Sequence, residues 1–167
     1  MTIRSLLLAL LFVLPNLIFS QDATTFSNLK TSTGDVKIPG KWEQLNTTAD
    51  SGQTYLKNDS GVVIAIAQNP KKAYPFYKKS ESDNESVQAF YKWDTDYIGQ
   101  SHKVTKLKES AKLEYIIWKY NDGKADNVFL FGSAKANFLN LLVYTNAWGE
   151  DEKIKFLEDL YLLNVGF

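Results

Sequence analysis

Three closely spaced apolar runs, residues 113–120, 128–132 and 138–145, most constrain how this chain can fold. Asn121-Asp122-Gly123 and Ser133-Ala134-Lys135 separate them. Asp-Gly between apolar runs marks a tight hairpin, because glycine accepts the positive φ that such turns demand. Within the runs the side chains alternate with the two-residue period of a strand. Leu113, Tyr115 and Ile117 share one face, and Ile116, Trp118 and Tyr120 the other. Val128 and Leu130 oppose Phe129 and Phe131, while Leu139, Leu141 and Val143 oppose Phe138, Leu142 and Tyr144. The pattern predicts the central strands of an antiparallel meander, apolar on both faces and therefore covered on both.

The flanking segments supply more strands and the cover. Residues 62–67 are continuously apolar and partly β-branched, the pattern of a strand buried on both faces. Asn58-Asp59-Ser60-Gly61 joins them to residues 54–56 as a hairpin. Residues 35–38 alternate as a short strand ended by Pro39-Gly40, and residues 46–52 read as a polar loop. Lys103, Lys106 and Lys108 mark residues 103–109 as an edge strand, where charge discourages pairing with another molecule. A helix is expected from Ser82, where Ser82 and Glu85 fit a capping box, to Gly99. Its apolar stripe is Val87, Phe90, Tyr91, Tyr97 and Ile98, interrupted by Asp94. A second helix is expected over about 150–163, with Glu150, Asp151 and Glu152 at the positive end of its dipole. Ile154, Leu157, Leu160 and Tyr161 form its buried face, widened by Phe156 and Leu163.

The expected class is therefore α+β, a mainly antiparallel sheet of about six strands flanked by helices. The order of strands, helix, meander and helix, entered through Ile38-Pro39-Gly40-Lys41-Trp42, resembles the PsbP family of extrinsic photosystem II proteins and their Ran-binding import-factor relatives. The resemblance covers most of the expected mature chain, residues 21–167, and implies an α/β/α sandwich that binds other proteins rather than catalysing a reaction. No binding residue carries over position by position.

Arg4 followed by the apolar run 6–14, Pro15 and Ser20 describes a signal peptide over residues 1–20, with cleavage expected before Gln21. The run falls short of the roughly 20 apolar residues that span a bilayer. Residues 21–33 are rich in Thr, Ser and Asn and read as a flexible leader, leaving 34–167 as a single domain. The chain has no cysteine, and Arg4 is its one arginine. An export signal without disulfides suits a bacterial periplasmic or extracellular protein. Lysine and arginine together number 19, as do aspartate and glutamate, so no net field recruits nucleic acid.

Candidate sites are few. Ser101 and His102 adjoin, but a hydrolase needs an acidic orienter and a strained nucleophile turn, and neighbours on a strand point to opposite faces. Asp94 and Asp96, two apart on the first helix, do not face each other and read as solvated charges, Asp94 at the rim of the apolar face. No spacing of metal ligands occurs, and no cofactor is implied. The segment 69–79 interleaves aromatics with lysines: Lys71, Lys72, Tyr74, Phe76, Tyr77, Lys78 and Lys79 form a candidate patch for a protein or envelope partner. The competing use of those rings is burial as a lid over the sheet. Trp148, between the last strand and the last helix, carries the same two readings. The expected function is an exported, non-enzymatic binding module, or else a carrier holding a small apolar or aromatic ligand between sheet and helix. An unrecognised hydrolase centred on His102 ranks third.

Overall fold

The structure, a computed structural model, describes residues 25–166; the expected signal peptide and residues 21–24 lie outside them. Nine strands and two long helices follow in the order β1 (Phe26–Thr31), β2 (Gly34–Pro39), β3 (Glu43–Thr47), β4 (Thr54–Lys57), β5 (Val63–Pro70), α1 (Asp83–Ile98), β6 (Val104–Ser110), β7 (Tyr115–Asn121), β8 (Asp126–Ala134), β9 (Asn137–Tyr144) and α2 (Glu150–Val165). β3 to β9 form one sheet in the order β3-β4-β5-β9-β8-β7-β6, antiparallel throughout, and β1 pairs with β2 in a separate hairpin. The expected α+β class is observed, with seven strands in the main sheet.

The meander turns as its residues dictate. Asn121 Oδ1 accepts the Gly123 N–H and Asp122 Oδ1 accepts the N–H groups of Lys124 and Ala125, while Gly123 takes φ 86°. The β8–β9 turn lies at Lys135 and Ala136, Lys135 with φ 59°, so both strands run further than their apolar residues suggest. Side chains divide as the alternation predicts. Ile117, Leu130 and Leu141 enter the layer under α2, while Ile116, Phe131 and Phe138 enter the layer under α1.

α1 begins at the predicted box: Ser82 Oγ accepts the Glu85 N–H and Glu85 Oε2 accepts the Ser82 N–H. Gly99 ends it in right-handed geometry, and a Cβ there would stand 2.8 Å from the Thr95 carbonyl oxygen. α2 buries Leu157, Leu160 and Tyr161 as expected, but Leu163 is exposed and Lys153 is buried instead. Trp148 packs 5.2 Å from Phe156, itself 5.7 Å from Trp42, so it closes the end of this layer.

Two segments differ from their sequence reading. Residues 26–31, assigned to the flexible leader, are strand β1: Leu29 is buried with Val36 and Ile38 in the α2 layer, and that burial orders a polar segment. Residues 43–47, placed next to or inside the polar loop, are edge strand β3, wholly exposed and held by its ladder to β4. β6 occupies the opposite edge with its lysines, as expected.

Candidate functional site

α1 lies over β7 and β8, so the part of that sheet face formed by β4, β5 and β9 is not roofed by the helix. A cleft of about 1180 Å³ opens there. Cross-strand pairing builds its floor, since Tyr55 pairs with Ala65, Ala65 with Leu142, and Leu142 with Phe129. Tyr120, Asn127 and Tyr144 form the next row across the sheet. One wall is the second half of α1, with Trp93, Asp94 and Tyr97; the loop 49–53 and Asn69 also line the cleft, and Tyr74 packs its ring on α1, 6.0 Å from Trp93. Asn69 Nδ2 ties the loop to that ring, donating to the Ser51 carbonyl at 2.9 Å and to the Tyr74 hydroxyl at 3.2 Å.

Asp94 is the unexpected member. It follows Phe90 by four residues and therefore shares the sheet-facing stripe of α1. It is partly buried, and it has no hydrogen-bond or ion-pair partner among the described residues. Burial alone pushes its carboxyl up to about 6. The solvated-charge reading thus holds for Asp96, which is exposed and paired with Lys92 at 2.6 Å, and is corrected for Asp94. Burial also raises the hydroxyls of Tyr74 and Tyr120, with the Asp94 charge adding to both. Asn140 lines the same cleft with a buried Oδ1 that lacks a partner.

The segment 69–79 does not form one patch. Lys71 is 3% exposed and cannot rim a surface. Its Nζ donates to Asp83 Oδ1 at 2.5 Å and to Ser133 Oγ at 2.7 Å, and Ser133 Oγ donates to Asp83 Oδ2 at 2.9 Å. This triangle clamps the 3-10 turn Lys71–Ala73 and the start of α1 to β8. Tyr74 and Phe76 are half-buried against Phe90 and Phe138, at centroid distances of 4.9 to 5.9 Å. Lys72, Lys78 and Lys79 are exposed, and Tyr77 is half-buried beside them.

Two polar constellations invite a catalytic reading. Ser133 beside Lys71 has the composition of a Ser–Lys dyad, which sequence reasoning missed because the residues lie 62 positions apart. Both the Lys71 Nζ and the Ser133 Oγ are engaged with the Asp83 carboxylate, and Ser133 is 3% exposed, so the pair lies inside the fold rather than in the cleft. Ser101 and His102 occupy a turn rather than a strand, and Ser101 Oγ lies 2.7 Å from His102 Nδ1, against the sequence expectation that they diverge. The ring's remaining neighbour is Tyr120, edge-on at 5.0 Å, and no carboxylate bonds to it among the described residues. No group of three or more His, Cys, Asp or Glu suited to a metal occurs among the described residues.

Fold and site together define a sheet-and-helix domain with one face sealed and an aromatic cleft open on the other. No family model matches the chain, and no curated protein matches it. Among solved structures the chain is similar to the solution structure of cyanobacterial PsbP (CyanoP) from Synechocystis sp. PCC 6803, covering 85% of this chain and 90% of that one at 10% identity and a TM-score of 0.48. At that identity the likeness concerns fold alone.

Proposed function

We propose that this protein is an exported, non-enzymatic binding domain that holds a small organic ligand in the cleft between α1 and the sheet. The observation that carries the reading is the composition of the cleft: Tyr55, Tyr74, Trp93, Tyr97, Tyr120 and Tyr144 converge from five separate segments of the chain onto one concavity. Most rings of this fold serve the core, but Trp93 and Tyr97 are 47% and 71% exposed at the rim. Large apolar rings left in water gain their stabilisation when a ligand covers them. Export rests on residues 1–20 of the sequence, and no helix among the described residues is long and apolar enough to cross a membrane.

The test is a fragment screen by amide chemical-shift perturbation on the isotopically labelled protein, read beside the part of the tryptophan fluorescence that Trp93→Phe removes. Small aromatic and alicyclic fragments are expected to move the resonances of α1 residues 93–98 and of β9, and Trp93→Ala is expected to weaken them. Fragments that leave the cleft resonances still while the protein stays folded would overturn the reading.

A second reading is a protein-docking site on the outer side of the loop, narrowed to Lys72, Tyr77, Lys78 and Lys79. Three exposed lysines beside a half-buried ring favour it. With lysine the only exposed cation type there, association with an acidic partner segment is expected to slow as salt rises.

A further inference from the structure

We infer that the ligand of the cleft is an organic cation, an amine or quaternary ammonium compound, bound by the carboxylate of Asp94 within a box of aromatic rings. This rests on the reading of the cleft as a small-molecule site and adds the charge of its occupant.

Three independent features lead to a cation. The charged side chains lining the cleft among the described residues are Asp50 and Asp94, and no lysine joins them, although lysine and arginine total 19 in the chain. The cleft is therefore negative in a protein whose formal net charge is zero. Asp94 is also an anion partly withdrawn from water with no cation of the protein supplied to it. Elsewhere the acidic residues that the fold draws inward mostly meet a lysine or a hydrogen-bond donor: Asp83 meets Lys71, Glu158 meets Lys108 and Tyr115, and Asp126 meets Lys119, while Glu114, the exception, lies outside the cleft. An unpaired carboxylate in such a setting is costly, and a cation arriving from solution removes the cost. Finally, Trp93 and Tyr97 flank Asp94 on α1, and Tyr74, packed beside Trp93, and Tyr120, on the sheet, both sense its charge. Aromatic faces attract organic cations, most strongly where water is excluded.

A neutral sugar would use the same rings and the carboxamides of Asn127 and Asn140, but it would leave the Asp94 charge uncompensated. An anionic ligand would meet repulsion from both carboxylates. The size of the cleft, somewhat above the range of ordinary ligand sites (about 300–1,000 Å³), leaves room for an alkyl or aryl body behind the charged head.

The experiment compares benzyltrimethylammonium with its uncharged carbon isostere, in which a tert-butyl group replaces the trimethylammonium, and with a neutral disaccharide. Calorimetry and amide shifts are measured on the whole protein. The cation is expected to bind at least about tenfold more tightly than the isostere. Asp94→Asn, which keeps size and hydrogen-bonding capacity, is expected to remove most of that difference and leave the smaller part the rings supply, and Trp93→Ala to weaken both ligands. Lowering the pH through about 6 is expected to weaken the cation and spare the isostere, as Asp94 takes up a proton. The groups facing Asp94 are the Tyr74 and Tyr120 hydroxyls, which stay neutral in this range, and Asp50 on the rim is intact in the variant. Equal binding of cation and isostere overturns the charge inference and leaves the cleft standing as a ligand site. Preference for the disaccharide likewise overturns the cation. No perturbation of cleft resonances by any probe overturns the cation and counts against the cleft itself.

Discussion

The two faces of the main sheet are built from the same alternating strands, yet they are finished differently. Beneath α2, aliphatic side chains dominate, and the β1–β2 hairpin lays Leu29, Val36 and Ile38 over the part the helix leaves bare. Tyr161 locks that layer: its ring fills the space above Gly132, and its hydroxyl donates to the Ser133 carbonyl at 2.7 Å. Beneath α1, aromatic side chains dominate, with Phe90 stacked on Phe131 at 4.1 Å and Trp118 on Phe129 at 4.5 Å. Among the described residues no hairpin completes this second layer over β4, β5 and β9. The first face is organised for stability. The second gives up part of its cover, keeps rings at the margin and tolerates an unpaired carboxylate.

Substitutions on the sealed face are expected to cost the most. Leu141→Ala should destabilise the fold by about 2–5 kcal/mol, because the side chain is fully buried and a cavity remains. Chemical denaturation checks this; an unchanged midpoint and slope would show that the α2 face is not the tightly packed one. Gly132→Ala should cost about 1–3 kcal/mol, since the added methyl runs into the Tyr161 ring. Pairing it with Tyr161→Leu should recover part of the loss, a gain that a backbone effect at Gly132 would not produce.

On the open face the sign is expected to reverse. The Asp94 carboxyl is raised from 3.8 to about 6 on folding, so the folded state favours its protonated form. Its stabilising contribution is complete below about pH 4 and is lost as the pH rises through 6. Asp94→Asn should therefore match the wild type in acid and exceed it at neutral pH, by about 1–2 kcal/mol once partial exposure is allowed for. Denaturation at several pH values checks this; a variant less stable at neutral pH would make Asp94 a structural residue. Smallest of all, Trp93→Ala should cost only about 1 kcal/mol, because the ring is nearly half exposed although it touches Tyr74, Phe76 and Phe90. A large loss there would move Trp93 from the rim of a site into the core.

The strands of the meander, the two helices and the division of side chains between faces were legible in the chain because each depends on neighbours within a few residues. Ser82 and Glu85 announce a helix start, and Asn121 to Gly123 announce a turn, from interactions that close locally. β1 and β3 escaped the same logic, since polar strands hold by pairing with distant partners rather than by their own pattern. The segment 69–79 showed its rings and lysines openly, but the sequence did not show that Lys71 turns inward to Asp83 and Ser133. Asp94 looked like an interruption in an apolar stripe. What made it a candidate ligand group is the convergence of Tyr55, Tyr74, Tyr120 and Tyr144 around it, from strands and a loop that the order β3-β4-β5-β9-β8-β7-β6 brings side by side. Local periodicity determined which face of the sheet each meander side chain enters. Only the sheet order and the off-centre seat of α1 decided where burial stops, because a cleft is defined by what fails to cover it.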